Sequence, residues 1–133
     1  MSPVSEQPFH DWIAALGVAW EARDPDAAAA LFTEDVRYHE TPFDEPMVGV
    51  EAVRAYWAEV PKEQRDVRFA FEVLATTPKG GLARWQASFE RIPADGNRRE
   101  LDGVVMVELG DDGRCGLLRE WWHGRDLPLA GEG

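Results

Sequence analysis

Few side chains in this sequence are equipped for chemistry, and most of those that are carry carboxyls. Asp102 and Glu120 sit inside two late segments, LDGVVMVEL and LLREWWH, in which most neighbours are apolar. Glu40 follows the short run Val36-Arg37-Tyr38-His39 and opens a proline-rich stretch, with His39 beside it. A carboxyl among apolar groups loses hydration, which disfavours its charged form, and a second acid nearby raises one of the pair further. A carboxylic acid kept neutral near pH 7 donates a hydrogen bond or a proton, while an ionised partner accepts one. Asp102 and Glu120, with Glu40 or His39 to assist, are the side chains that could carry such acid/base chemistry if their strands turn them into a common apolar space. The competing reading is that these acids only anchor Trp, Tyr or Arg donors.

Other chemistries find less support. His10, His39 and His123 are scattered without HxH or HxxxH spacing, so no metal site is expected. Cys115 is the single cysteine, which excludes an internal disulfide and a cysteine-based zinc site, and no base stands near it to activate the thiol. There is no Ser-His-Asp order, phosphate-cradling glycine loop or dinucleotide fingerprint, and no cofactor is expected.

The chain has 133 residues, 44% of them hydrophobic and 29% charged, a length and composition suited to one globular domain. Fourteen Lys plus Arg against 25 Asp plus Glu give a net charge of −11, a field that repels phosphate backbones and anionic membranes. Nucleic acid and membrane are thus excluded as expected partners. The opening MSPVSEQPFHDW lacks a secretory pattern, and no apolar run approaches the roughly 20 residues needed to cross a bilayer. A cytoplasmic protein is expected.

The elements that must position the acids follow from periodicity. Phe9, Trp12, Ile13, Leu16 and Trp20 recur at helical spacing over about 9–23. Asp24-Pro25 breaks that helix and caps a second, alanine-rich one over 26–32. Val36 to His39 reads as a brief strand, Thr41 to Gly49 as a loop, and Val50 to Val60 as a third helix ended by Pro61. Period-two alternation then predicts strands over 67–73, 83–89, 99–109 and 115–123, and Leu127 to Gly133 reads as a frayed tail. Three helices followed by a four-strand meander imply an α+β fold with helices on one face of a curved antiparallel sheet. On the second of these strands, Trp85, Ala87 and Phe89 form the apolar face. On the third and fourth both alternating sets are apolar, so periodicity leaves their inward faces open and implies that the back of the sheet is also covered.

The stretches RDPDAAAALFTEDVRYHE, GVEAVRAYW and LDGVVMVELGDDGRCGLLREWW resemble the SnoaL-like branch of the nuclear transport factor 2-like superfamily over 12–123. The resemblance implies a cone-shaped α+β fold, its sheet wrapped around a helix to leave an internal pocket, and homodimers formed through the outer sheet face. It also chooses the inward positions: Trp85, Ala87 and Phe89, then Asp102, Val104 and Met106, then Leu118, Glu120 and Trp122. Asp102 and Glu120 then share one pocket. Its implied walls are Trp20, Tyr38, Tyr56, Trp57 and Phe69 together with Trp85, Phe89, Val104, Met106 and Trp122.

Relatives in the superfamily use such pockets differently. Glu40 holds a position that resembles the general base of ketosteroid isomerases, and Asp102 matches their protonated aspartic acid. Their oxyanion-hole tyrosine falls on Leu16, which cannot donate, and loss of such a donor typically costs on the order of 10²–10³ in rate. Limonene-type epoxide hydrolases are matched by Glu120 but need an Arg and an Asp where this chain offers Trp85, Ala87 and Phe89; Arg84 has the wrong parity. Polyketide cyclases need little beyond a strand acid, which Asp102 or Glu120 supplies. The expected function is binding of a small apolar, polycyclic molecule and cofactor-independent acid/base chemistry of isomerase, cyclase or dehydratase type. The alternative is a ligand carrier or dimeric interaction protein.

Overall fold

Helix α1 (Gln7–Ala22) forms on the repeat of apolar residues and buries Phe9, Trp12, Ile13, Leu16 and Trp20. It ends where Asp24 takes over: the Asp24 carboxylate accepts from the backbone N–H groups of Asp26 (3.1 Å) and Ala27 (3.0 Å), capping the short helix α2 (Pro25–Ala29). This computed structural model describes residues 7–129. Strand β1 (Phe32–His39) begins earlier than periodicity predicts, taking Phe32 from the end of the expected helix. The expected loop contains a two-residue strand, β2 (Met47–Val48), before α3 (Val50–Glu59) and a 3₁₀ turn at Val60–Glu63.

The meander follows as β3 (Gln64–Thr76), β4 (Gly80–Arg91), β5 (Asn97–Leu109) and β6 (Cys115–Pro128). The six strands lie in the order β2-β1-β6-β5-β4-β3, antiparallel except where β1 runs parallel to β6. The α+β class and helix-backed sheet are as expected. β6 runs to Pro128, beyond His123, so Leu127 and Pro128 belong to a strand and not to a tail; residues 130–133 lie outside the described part.

Side chains directly opposite one another in an antiparallel pair share a face. Phe71, Trp85, Gly103 and Trp122 therefore form one inward row across β3 to β6, and Val73, Ala83, Val105 and Glu120 form the next. The inward set on β5 is thus Leu101, Gly103, Val105 and Val107. This corrects the expectation for that strand, which placed Asp102, Val104 and Met106 inside.

Two glycines let bulky rings approach the backbone. A Cβ at Gly17 would overlap the Phe69 ring where α1 lies on β3. A Cβ at Gly103 would lie 2.8 Å from Cβ of Trp122 and would also meet the backbone oxygen of Trp121. Gly103→Ala is expected to lower stability by about 1–3 kcal/mol, the usual range for overpacking, as read from the urea midpoint.

Candidate active site

Between the helices and the inward face lies a cavity of about 220 Å³. Its floor and walls come from α1 (Ile13, Leu16, Trp20), α3 (Tyr56, Trp57) and the sheet (Phe69, Trp85, Phe89, Trp122), with Tyr38 on β1. One end is an aromatic cluster centred on Trp20, whose ring centroid lies 5.4 Å from that of Trp57, 5.9 Å from Trp85 and 6.0 Å from Phe69. Edge-to-face and offset ring pairs of this kind add stability beyond the area they bury. Core and cavity lining are largely one surface, since Trp20, Tyr38, Trp57, Trp85 and Phe89 are also buried core residues.

The polar groups gather where β1 meets β6. Glu120 projects from β6 into the cavity, and the Tyr38 hydroxyl donates to its Oε1 at 3.4 Å. Glu40, just past the end of β1, lines the same space. Burial pushes the Glu120 carboxyl up to about 8; the nearby Glu40 charge acts in the same direction, and the Tyr38 hydrogen bond offsets part of the rise. Glu40 is itself raised, first by burial and then by the charge of Asp44. Burial, together with the charge of Glu120, holds the Tyr38 and Tyr56 hydroxyls well above the usual phenol range, so both stay protonated. Two mutually unfavourable carboxylates in an aromatic hollow keep a proton near neutral pH, and hydroxyl donors stand beside them.

The residues named from sequence divide sharply. Glu120 and Glu40 line the cavity, as do Trp20, Tyr38, Tyr56, Trp57, Phe69, Trp85, Phe89 and Trp122. Asp102 does not, and the expected Asp102–Glu120 pair is corrected. Asp102 stands opposite Gln86, on the polar face of β4, so it shares that face and points away from the cavity. Arg84 Nε donates to Asp102 Oδ1 at 3.0 Å, Arg84 Nη2 to Oδ2 at 2.6 Å, and Gln86 Nε2 to Oδ2 at 3.2 Å. The Asp102 side chain is 46% exposed, and the Arg84 hydrogen bonds hold its carboxyl below the usual range. It is an ionised surface acid.

Val104 and Met106 are corrected with it: opposite Arg84 and Leu82 respectively, they lie on the outer face. His39, paired with Arg119 on β6, alternates away from Tyr38 and does not line the cavity. Cys115 is buried and its thiol is pushed up to about 12 by burial, which leaves it protonated and unreactive. Among the described residues no group of three His, Cys, Asp or Glu is arranged to hold a metal.

Sequence reasoning missed Gln64, Arg99, Leu101 and Val105 as lining residues. The last three follow from the opposite parity on β5. Gln64 was hidden by a β-bulge: two residues lie between Arg65 and Arg68 where one lies between their partners Glu90 and Ser88, and Asp66 takes a left-handed φ of 51°. The extra residue lets both Gln64 and Phe69 face the cavity although strict alternation would oppose them.

The raised Glu120 carboxyl has a consequence for stability. The folded protein holds this proton to about pH 8, whereas the unfolded chain releases it near the ordinary 4.5, so the folded state binds more protons between these values. Stability from this group is full below about pH 4, declines as pH rises from there, and is lost above about pH 8. Urea unfolding across that range should show the decline in the wild type, and Glu120→Gln should flatten it while keeping an acceptor for Tyr38.

A family model for the SnoaL-like domain matches residues 10–115. No curated protein matches the sequence at a significant level. Among solved structures, the chain is similar to the epoxide hydrolase/cyclase-like enzyme SalBIII of pyran ring formation in salinomycin, with TM-score 0.76, 20% identity, 90% of this chain and 93% of that one covered. It is similar to a Δ5-3-ketosteroid isomerase from Mycobacterium sp., with TM-score 0.76, 15% identity and coverage of 90% and 98%. It is also similar to RV0760c from Mycobacterium tuberculosis in complex with estradiol-17β-hemisuccinate, with TM-score 0.73, 18% identity and coverage of 87% and 94%. At these identities the likeness is one of fold. The family match spans most of the chain, and the chain belongs to the SnoaL-like domain family.

Proposed function

We propose that the chain binds a small, largely apolar molecule in this cavity and acts on it by cofactor-independent proton transfer, as an isomerase, cyclase or dehydratase. The observation that carries this reading is the buried Glu120, beside Glu40 and under the Tyr38 hydroxyl, inside an aromatic cavity. The Glu40–Glu120 pair replaces the Asp102–Glu120 pair expected from sequence. Glu120, protonated near neutral pH, donates to an oxygen on which negative charge develops, and Glu40 removes a proton from an adjacent carbon. The Tyr56 hydroxyl, close enough to feel both acids, is a further donor for that oxygen and stands in for the tyrosine absent at Leu16. Similarity of fold to an isomerase and to an epoxide hydrolase/cyclase-like enzyme supports the reaction class.

Size narrows the ligand. A dry cavity of about 150 Å³ takes benzene, and drug-sized ligands occupy roughly 300 Å³ or more. At about 220 Å³, this cavity suits an enclosed skeleton of two rings, and the remainder of a four-ring molecule would lie beyond it. Decahydronaphthalen-2-one is a suitable probe, because exchange of its α-hydrogens in D₂O reports proton abstraction directly by NMR. The protein should accelerate exchange, and Glu40→Gln and Glu120→Gln should each slow it by about 10²-fold or more, the usual contribution of a positioned acid or base. Binding of the ketone with no acceleration would leave a ligand carrier.

The outer sheet face supports a second part of the reading, a homodimer. Val104 and Met106 lie there beside Leu82, and Trp121, opposite Val104, is 46% exposed. The Arg84–Asp102 pair flanks this apolar strip. A sheet face with apolar residues at its centre and ion pairs at its margin suits a second copy of the same face. Sedimentation should give twice the chain mass for the wild type and the single mass for Trp121→Glu, with the cavity chemistry retained in both.

A further inference from the structure

Gln64 is 6% exposed, the polar side chain buried within the described core, and it lines the cavity on β3. Its orientation is fixed by chemistry. Trp20 Nε1, which can only donate, lies 2.8 Å from Gln64 Oε1, so the amide carbonyl faces Trp20 and the NH₂ group is turned elsewhere. The backbone is held as well: the Gln64 carbonyl accepts from Arg23 Nη1 at 2.7 Å, and its N–H donates to the Pro61 carbonyl. With the bulge at Asp66 setting its direction, the side chain is pre-organised.

The Nε2 amide of Gln64 carries two donors and has no hydrogen-bond partner among the described residues. Two more donors in the same cluster are also unmet: the indole N–H groups of Trp57 and Trp85 are buried without an acceptor, and both rings pack on Trp20. A buried donor left unpaired costs about 1–3 kcal/mol, so this end of the cavity is short of acceptors. Neither acid is hydrogen-bonded to these donors. Glu120 and Glu40 belong to the β6 and β1 side, whereas Gln64 stands on the edge strand β3, three strand positions from β6.

We propose that Gln64 is a specificity-determining residue whose carboxamide donates to a second oxygen of the ligand, a carbonyl or ether carried at the end remote from Glu120. The ligand class is then a two-ring apolar skeleton oxygenated at both ends, one oxygen for the Glu120 region and one for Gln64. This rests on the cavity-binding reading above. It assigns Gln64 the choice of ligand and gives it no part in proton transfer.

Calorimetric titration with decahydronaphthalene-2,6-dione and decahydronaphthalen-2-one tests the proposal, since the two differ by one carbonyl at the far ring. The wild type should bind the dione at least as tightly as the monoketone. Gln64→Met should lower the dione-to-monoketone affinity ratio by about tenfold, because the second carbonyl is then buried unpaired, while monoketone affinity stays within about threefold. Gln64→Glu keeps an acceptor for Trp20 and turns the donor into an acceptor, so it should lose the dione in the same way if the Met variant does not fold. An unchanged ratio in a folded variant, or a wild type that disfavours the dione, overturns the role of Gln64 alone. Failure of both ketones to bind the wild type overturns the cavity reading and this inference with it.

Discussion

A carboxyl taken out of water with no cation paired to it is the constraint on which this site depends, since Arg99, which also lines the cavity, pairs with Asp126. Glu120 has one hydroxyl donor, Tyr38, and a second acid, Glu40, as neighbour, and neither compensates for lost hydration as an arginine would. The protein therefore keeps Glu120 protonated. The contrast with Asp102 is instructive, because both acids sit on adjacent strands among apolar residues. Asp102 meets the Arg84 guanidinium in solvent and ionises readily; Glu120 meets aromatic rings and does not. Environment, set by which face of a strand each occupies, decides the chemistry of the two.

The same surface holds the fold together and shapes the hollow. Trp20 packs on Trp57, Trp85 and Phe69, and its N–H is spent on Gln64, so one side chain joins α1, α3, β3 and β4. Gly17 and Gly103 make room where a side chain would collide with Phe69 or with Trp122. An interior built from large rings around small residues leaves a hollow, with the shorter Val105 opposite Glu120 in its wall. The cavity is thus a product of the same size pattern that packs the core.

Much of this was legible in the residues. Helical spacing located α1 and α3, the Asp24-Pro25 cap was visible as such, and alternation located the meander and the inward face of β4. The resemblance drawn from three stretches supplied the cone and the place of Glu120 and Glu40. The inward face of β5 was not legible from periodicity, because Asp102, Val104 and Met106 compete with Leu101, Gly103, Val105 and Val107, and both sets are largely apolar. Cross-strand charge was the available signal: Arg84 and Asp102 satisfy each other only if both lie on the solvent side. Gln64 was hidden for a different reason, since a bulge shifts parity and no local pattern announces it.

The central claim is that Glu120 carries its proton at neutral pH inside the cavity. A ¹³C NMR titration of the Glu120 side-chain carboxyl, assigned by comparison with Glu120→Gln, measures this directly. A midpoint near 8 is expected, sensitive to Glu40→Gln because that charge contributes to the shift. A midpoint near 4.5, unmoved by Glu40→Gln, would show a hydrated carboxylate and contradict the acid/base site.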